Sequence, residues 1–170
     1  MMSYPINGLV LGAVLLGSVS GAQAASARLY GTLVTEPCTV TSTAIEVDFG
    51  TIVDKLLYQN TRTPGQRFAI ELADCDLSLG NTVTVTFVGT ESVALPGLLA
   101  VPDHGIAIGV ETPDAKPVKF NAVTDALALQ SPASQLAFKA YVQGEPGAIA
   151  GQTIARGAFS ATSTFRLAYP

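Results

Sequence analysis

The sequence predicts an all-β domain. Seven segments carry apolar residues at every second position, which is the period of a strand with one buried face. No window keeps a helical period over several turns. The 16 glycines and 10 prolines are spread between the segments, as the turns of a sandwich require. About seven short antiparallel strands in one domain favour an immunoglobulin-like β-sandwich.

The predicted strands are bounded by turn residues. Pro37 follows the first strand, Gly50 closes the second and Gly89 closes the fourth. Each of these residues interrupts a regular ladder, through a missing N–H or an unusual φ. The strands span residues 29–34, 43–49, 67–73, 82–88, 105–110, 134–142 and 157–169.

The last predicted strand is the longest, and it begins at Gly157. The positions between its alternating residues are mostly small or polar. Two interpretations remain open: an ordinary core strand paired within the domain, or a strand that leaves a place for a partner. The alternating row consists of Phe159, Ala161, Ser163, Phe165, Leu167 and Tyr169.

The first 24 residues resemble a secretory signal peptide. Residues 8–19 form a charge-free apolar run that is too short to span a bilayer. Ala22-Gln23-Ala24 is a small-x-small cleavage site, so the mature chain is expected to begin at Ala25. The residues before the apolar run contain no Lys or Arg, and an uncleaved membrane anchor is the alternative. The expectation is an exported protein with one mature domain.

The charge pattern argues against a nucleic-acid partner. Only 13% of the residues are charged, and the net charge is −4. The nine Lys and Arg residues are scattered from Arg28 to Arg166 and form no basic stripe. Nucleic-acid binding draws on clustered cations, which are missing here.

Two cysteines, Cys38 and Cys75, are the only ones in the chain. In an exported protein such a pair is expected to form a disulfide. By constraining the unfolded chain, this bond would stabilise the folded state by roughly 4 kcal/mol. A metal pair or two free thiols are the alternatives. Two cysteines do not complete a zinc site, and the single histidine, His104, has no partner spaced to help. We therefore predict a structural disulfide and no metal or cofactor.

A second period-two segment precedes the first cysteine. Residues 25–37 could form an additional strand, and a glycine inside a strand often marks close backbone approach. The simplest alternative pairs this strand with the terminal strand inside one sandwich, and the pattern leaves both possibilities open. One face of the segment consists of Ala27, Leu29, Gly31, Leu33 and Thr35.

Taken in order, these features resemble the pilin subunits of chaperone–usher fimbriae, the type 1 and P-pilus class. The resemblance covers essentially the whole chain. At the terminus a glycine stands fourteen residues from the end and a tyrosine is penultimate, and these places are held by Gly157 and Tyr169. The other matching stretches are residues 31–40, 47–50, 68–72 leading to Cys75, 85–89 and 105–109.

The resemblance implies an incomplete immunoglobulin-like sandwich whose missing last strand comes from a partner. It implies three regions: a signal peptide (1–24), an N-terminal donor strand (25–37) and a pilin domain (38–170). The implied partners are a periplasmic chaperone, an outer-membrane usher and neighbouring pilins, with export through the periplasm to a surface fimbria. By the same resemblance, the terminal row from Gly157 to Tyr169 would line the groove, and the row from Ala27 to Thr35 would fill a neighbour's groove.

The position in the pilus is left open by the sequence. The extension before Cys38 is short for the family, and the chain ends in Tyr169-Pro170 rather than in a polar residue. Rod subunit, minor adaptor and terminator are all compatible with these features. A two-domain tip adhesin is disfavoured, since the length leaves no room for a second domain.

Two other functions compete with a pilin. An enzyme could use His104 beside Asp103, or Ser160 or Ser163 as a nucleophile, but Pro102 to Gly105 has the composition of a surface turn. No nucleophile elbow or phosphate-binding loop is present. A self-sufficient carbohydrate-binding sandwich would favour exposed aromatics, and this chain has no Trp.

Overall fold

The computed structural model describes residues 35–170. The predicted signal peptide, the predicted strand 29–34 and four residues of the predicted donor face lie outside the described residues. Thr35, the last residue of that face, is described and is exposed. The four others are Ala27, Leu29, Gly31 and Leu33.

The described chain forms two β-sheets with two short helices. Neither helix is long or apolar enough to cross a membrane. The elements are β1 (Thr39–Val40), α1 (Asp54–Asn60), β2 (Gln66–Ala73), β3 (Thr82–Val88), β4 (Leu99–Val101), β5 (Ile106–Glu111), β6 (Pro117–Val118), β7 (Leu127–Ala128), β8 (Ser134–Gly144), α2 (Pro146–Gly151) and β9 (Thr164–Ala168).

The larger sheet has the strand order β1-β2-β8-β5-β4, and β6 also pairs with β5. Its longest ladder joins β2 to β8, with Phe68 opposite Phe138. The smaller sheet has the order β7-β3-β9, and β9 runs antiparallel to β3. All of these pairings are antiparallel, as expected for a sandwich of this type.

The core lies between the two sheets. Strand β3 alternates buried Val83, Val85 and Phe87 with half-buried threonines, so one face of the smaller sheet points inward. From the larger sheet, Phe138 meets Phe87 edge to face with ring centroids 5.2 Å apart. Phe68 lies 6.0 Å from the same ring. Aromatic contacts at these distances stabilise the packing beyond simple burial, and they fix the two sheets against each other.

The predicted disulfide is confirmed. Cys38 is bonded to Cys75, and both residues are buried. Cys38 immediately precedes β1, and Cys75 follows β2, while Thr39 of β1 pairs with Ala73 of β2. The bond therefore closes the open end of an antiparallel strand pair at the point where the chain enters the domain.

The sequence predicted the long strands well and missed the short elements. Strand 82–88 has the predicted bounds, and β2, β5 and β8 differ from prediction by one or two residues. The four strands of two or three residues are too short to show a period, and the same holds for the 7- and 6-residue helices. The sandwich class itself is confirmed.

Two predicted strands differ from the structure. Residues 43–49 keep the predicted alternation of half-buried and exposed side chains, but within the described residues they join no sheet. Of the predicted strand 157–169, only Thr164–Ala168 is paired. In both segments the apolar period is present, but within residues 35–170 the remaining positions have no strand partner. A period of two indicates which face is buried, and it does not indicate which strand supplies the hydrogen bonds.

We predict that replacing both cysteines, Cys38→Ser with Cys75→Ser, lowers the free energy of unfolding by roughly 4 kcal/mol, because the loop is released in the unfolded chain. Denaturant unfolding of the assembled subunit measures this change. The parent protein in reductant serves as the control and should match the double variant. Unfolding at the same denaturant concentration with and without the bond would contradict the prediction.

Candidate functional site: a strand-acceptor groove

Strand β9 lies at the edge of the smaller sheet. One side of β9 pairs with β3, in a register that sets Phe165 opposite Phe87 and Leu167 opposite Val85. Within residues 35–170 the other side of β9 has no strand partner. Its unpaired N–H and C=O groups form a template onto which another strand can be added.

The side chains of the terminal segment form an apolar row beside this edge. Five members of the predicted row are half-buried and pack against the core. Ser163 shares the row but is exposed, and it lies over Gly89, where an added Cβ would come within 3.6 Å of the Ser163 Cβ. Gly157, at the start of the segment, is exposed and has a φ of +136°. The five half-buried members are Phe159, Ala161, Phe165, Leu167 and Tyr169.

A second apolar row comes from the chain between β1 and α1. Ile45, Val47, Phe49 and Ile52 are half-buried and pack against the same core. Within the described residues, no backbone hydrogen bond joins residues 43–52 to another segment. The ring of Phe49 contacts the ring of Phe159, with centroids 6.2 Å apart. We call the space flanked by residues 43–52 and 157–169 the groove.

A cavity of about 300 Å³ lies at the Gly157 end of the groove. An ion pair stands at this cavity: Arg156 Nη2 is 2.7 Å from Asp54 Oδ2, and Arg156 is largely exposed. The hydrogen bond from Arg156 is the main reason that the pKa of Asp54 lies below its ordinary value. The cavity walls are Ile52, Val53, Asp54, Leu57, Ile106, Val142, Ile154, Ala155, Arg156, Gly157 and Phe159.

The single histidine anchors the same end of the terminal segment. His104 lies in the turn between β4 and β5, as predicted, but its ring is half-buried against the terminal segment. His104 Nε2 is 3.0 Å from the Ala158 carbonyl oxygen, and the ring meets Phe159 edge to face. The Ala155 N–H donates to the His104 carbonyl at 3.1 Å. The turn therefore holds the segment where the groove begins.

Tyr169 marks the opposite end of the groove. Its hydroxyl donates a hydrogen bond of 3.5 Å to the carbonyl oxygen of Cys38. Burial of the phenol raises the pKa of Tyr169, with a smaller contribution from Glu36. The end of β9 and the point where the chain enters the domain therefore lie side by side.

The structure thus brings together the predicted row from Phe159 to Tyr169. Residues 43–52, which include the predicted strand 43–49, form a second wall instead of a paired strand of the sandwich. The period of Ile45, Val47 and Phe49 was visible in the sequence, but its lack of a partner was not. His104 and the Asp54–Arg156 pair were missed as anchors of the terminal segment, since a lone histidine and an ion pair 102 residues apart leave no sequence pattern.

Comparison with known proteins agrees with this geometry. The family model for fimbrial protein matches residues 27–170. Fimbria A protein of Serratia marcescens is 31% identical, over 96% of this chain and 98% of that protein. Fimbrial adapter PapK of Escherichia coli is also 31% identical, over 93% of this chain and 97% of that protein.

The solved structures agree as well. The P pilus rod subunit PapA is 26% identical with a TM-score of 0.70, over 79% of this chain and 100% of that chain. A subunit in the structure of a chaperone–usher pilus has the same identity and TM-score, over 88% of this chain and 98% of that chain.

The fold and its open edge define an incomplete immunoglobulin-like sandwich of the pilin class. The chain belongs to the fimbrial protein family. It is a structural subunit of a surface fimbria, as the resemblance implied.

We predict that Arg156→Ala raises the pKa of Asp54 toward its ordinary value, because the hydrogen bond that favours the carboxylate is removed. Since that pKa is depressed in the folded chain, the stabilisation by the pair is present above the ordinary carboxyl pKa and is lost as the pH falls. An NMR titration of the Asp54 carboxyl carbon measures the shift. Arg166→Ala removes an exposed arginine of β9 and is the control. It should leave the pKa of Asp54 unchanged.

Proposed function

We propose that the groove binds a donor strand and that residues 25–37 supply such a strand to a neighbouring subunit. The observation that carries the proposal is the pair of apolar rows flanking a backbone edge that is unpaired within the described residues. A strand placed between them would hydrogen-bond to β9 and cover both rows. This is strand addition to a sheet edge, in which main-chain bonds hold the strand and alternate side chains enter the core.

The donor segment and the groove are matched in length and period. Residues 25–37 and residues 157–169 are both 13 residues long, and both alternate every second residue. The donor face contains Ala27, Leu29, Gly31, Leu33 and Thr35. Gly31 supplies a point of close backbone approach. Each larger apolar side chain that becomes buried contributes about 1.5–3 kcal/mol.

The exposed edge also explains a need for a chaperone. An unpaired strand beside a half-covered core is a template for aggregation. A periplasmic chaperone would fill the groove first with its own strand, and a neighbour's extension would replace it at an outer-membrane usher. The names of the relatives support this assembly route, since one solved relative is a subunit of a chaperone–usher pilus. Residues 1–24 would direct export and be removed.

The place in the pilus follows from whether the chain polymerises with itself. The matches include the rod subunit PapA and the fimbrial adapter PapK, so they are compatible with a rod subunit and with an adaptor. In a rod of identical subunits, the groove of each copy must bind the extension of another copy. An adaptor or terminator need not do so.

The competing functions find little support. His104 Nε2 is occupied by a backbone carbonyl, and its buried Nδ1 has no partner among residues 35–170, so no carboxylate orients the ring as a base. We therefore assign it no catalytic role. Every Phe and Tyr among the described residues is buried or half-buried, so that part of the chain offers no exposed aromatic platform for a sugar.

We predict that a synthetic peptide of residues 25–37 displaces the chaperone from the subunit and raises its melting temperature, because the peptide completes the open edge. Thermal unfolding and size-exclusion chromatography of the complex measure both effects. Leu29→Ser with Leu33→Ser in the peptide should abolish the stabilisation, since about 3 kcal/mol or more of burial is lost. The matched control, Tyr30→Ser with Val34→Ser, changes the opposite face and should keep most of it.

The groove can be tested from the acceptor side in the same assay. Leu167→Ser should weaken peptide binding by roughly 1.5–3 kcal/mol, because the side chain faces the donor. The neighbouring Ala168→Ser changes the exposed face and should bind like the parent. Equal effects of the two substitutions would contradict the assignment of the groove face. A parent subunit that ignores its own peptide would favour the adaptor or terminator role.

A further inference from the structure

Two exposed leucines lie where the N-terminal extension leaves the domain. Leu77 is 38% exposed and Leu79 is 52% exposed, in the loop between β2 and β3. The loop wraps around buried Pro37: the Asp76 N–H donates to the Pro37 carbonyl at 2.8 Å, and a Cβ on Gly80 would come 3.0 Å from Pro37 Cγ. We call Pro37 and residues 76–80 the root collar.

The spacing along the chain brings a neighbour to the root collar. Thr35 is the last residue of the proposed donor face, and only two residues separate it from Cys38. Three extended steps span about 10 Å at most. Pro37 and Cys38 are buried, which anchors the root to the domain. A subunit that holds Thr35 in its groove therefore lies within about 10 Å of Cys38 and beside the exposed leucines.

The polarity of the fibre determines which end of the neighbour meets the collar. The hydrogen bond from Tyr169 to Cys38 places the root at the Tyr169 end of the chain's own groove. Every ladder of the described sheets is antiparallel, and a donor strand that follows this pattern runs opposite to β9, with its C-terminal end beside Gly157. The donor root then stands at the Gly157 end of the acceptor groove. Val53, which is 62% exposed, lines the cavity at that end.

We propose that Leu77 and Leu79 of one copy pack against the Gly157 end of a second copy's groove, around Val53. The contact rests on the proposed donor-strand function and adds to it a surface outside the strand. Large exposed apolar side chains at both facing ends are covered by this contact. A whole subunit therefore binds more tightly than its extension alone, and the joint between copies is restrained against bending.

The test compares two donors on one acceptor, the mature chain held by its chaperone. The donors are the peptide 25–37 and the whole mature chain, and the readout is the dissociation rate of the exchanged complex. We expect the whole chain to dissociate about tenfold more slowly than the peptide. Leu77→Ser with Leu79→Ser in the donor should remove this advantage. Val93→Ser is the matched control, because Val93 is 98% exposed in another loop.

A charge pair tests the facing residues directly. Leu79→Glu in the donor should speed dissociation, and Val53→Lys in the acceptor should restore slow dissociation. Val123→Lys, at another exposed valine, should give no rescue. If the leucine variants dissociate at the parent rate while the peptide still binds, the collar contact is wrong and the donor-strand function stands. If the peptide does not bind, the chain does not add to itself, which overturns the contact between two copies and favours the adaptor or terminator role.

Discussion

The structure depends on one constraint, an apolar core whose smaller sheet ends at an unpaired edge. Within the described residues β9 has β3 on one side and no strand on the other. Phe165 and Leu167 are therefore only half-buried, although their period is that of core residues. Such side chains gain their full burial only when another strand covers them. The domain is thus built to be completed, and its function as a fimbrial subunit follows from this incompleteness.

The two ends of the groove are held by different means. At one end His104 fixes the backbone at Ala158, and the Asp54–Arg156 pair links α1 to the terminal segment. At the other end Tyr169 reaches Cys38, next to the disulfide. These contacts fix the terminal segment through side chains, so its free backbone edge remains available to an added strand. The same contact sets the end of β9 beside the point where the chain enters the domain.

The sequence predicted the parts of this arrangement that are periodic. The alternating spacing predicts that Phe159, Phe165, Leu167 and Tyr169 share one face, and the presence of only two cysteines predicts their bond. The residues 43–49 were predicted as a paired strand because period reports which face is buried and not which neighbour supplies the hydrogen bonds. His104 and Arg156 act through contacts that depend on the folded chain, and no local pattern marks them. The donor face from Ala27 to Leu33 lies outside the described residues, and its role stays a prediction.

The most direct test of the central claim is amide hydrogen exchange of residues 43–52 and 159–169, measured at low concentration on the subunit released from its chaperone, without and with the donor peptide. Pairing with a strand protects alternate amides of an edge strand. The account predicts that both segments are protected in the complex with the peptide and exchange rapidly when the groove is emptied. Equal exchange with the groove empty and filled would show that these edges do not pair with a donor strand, and would contradict the account.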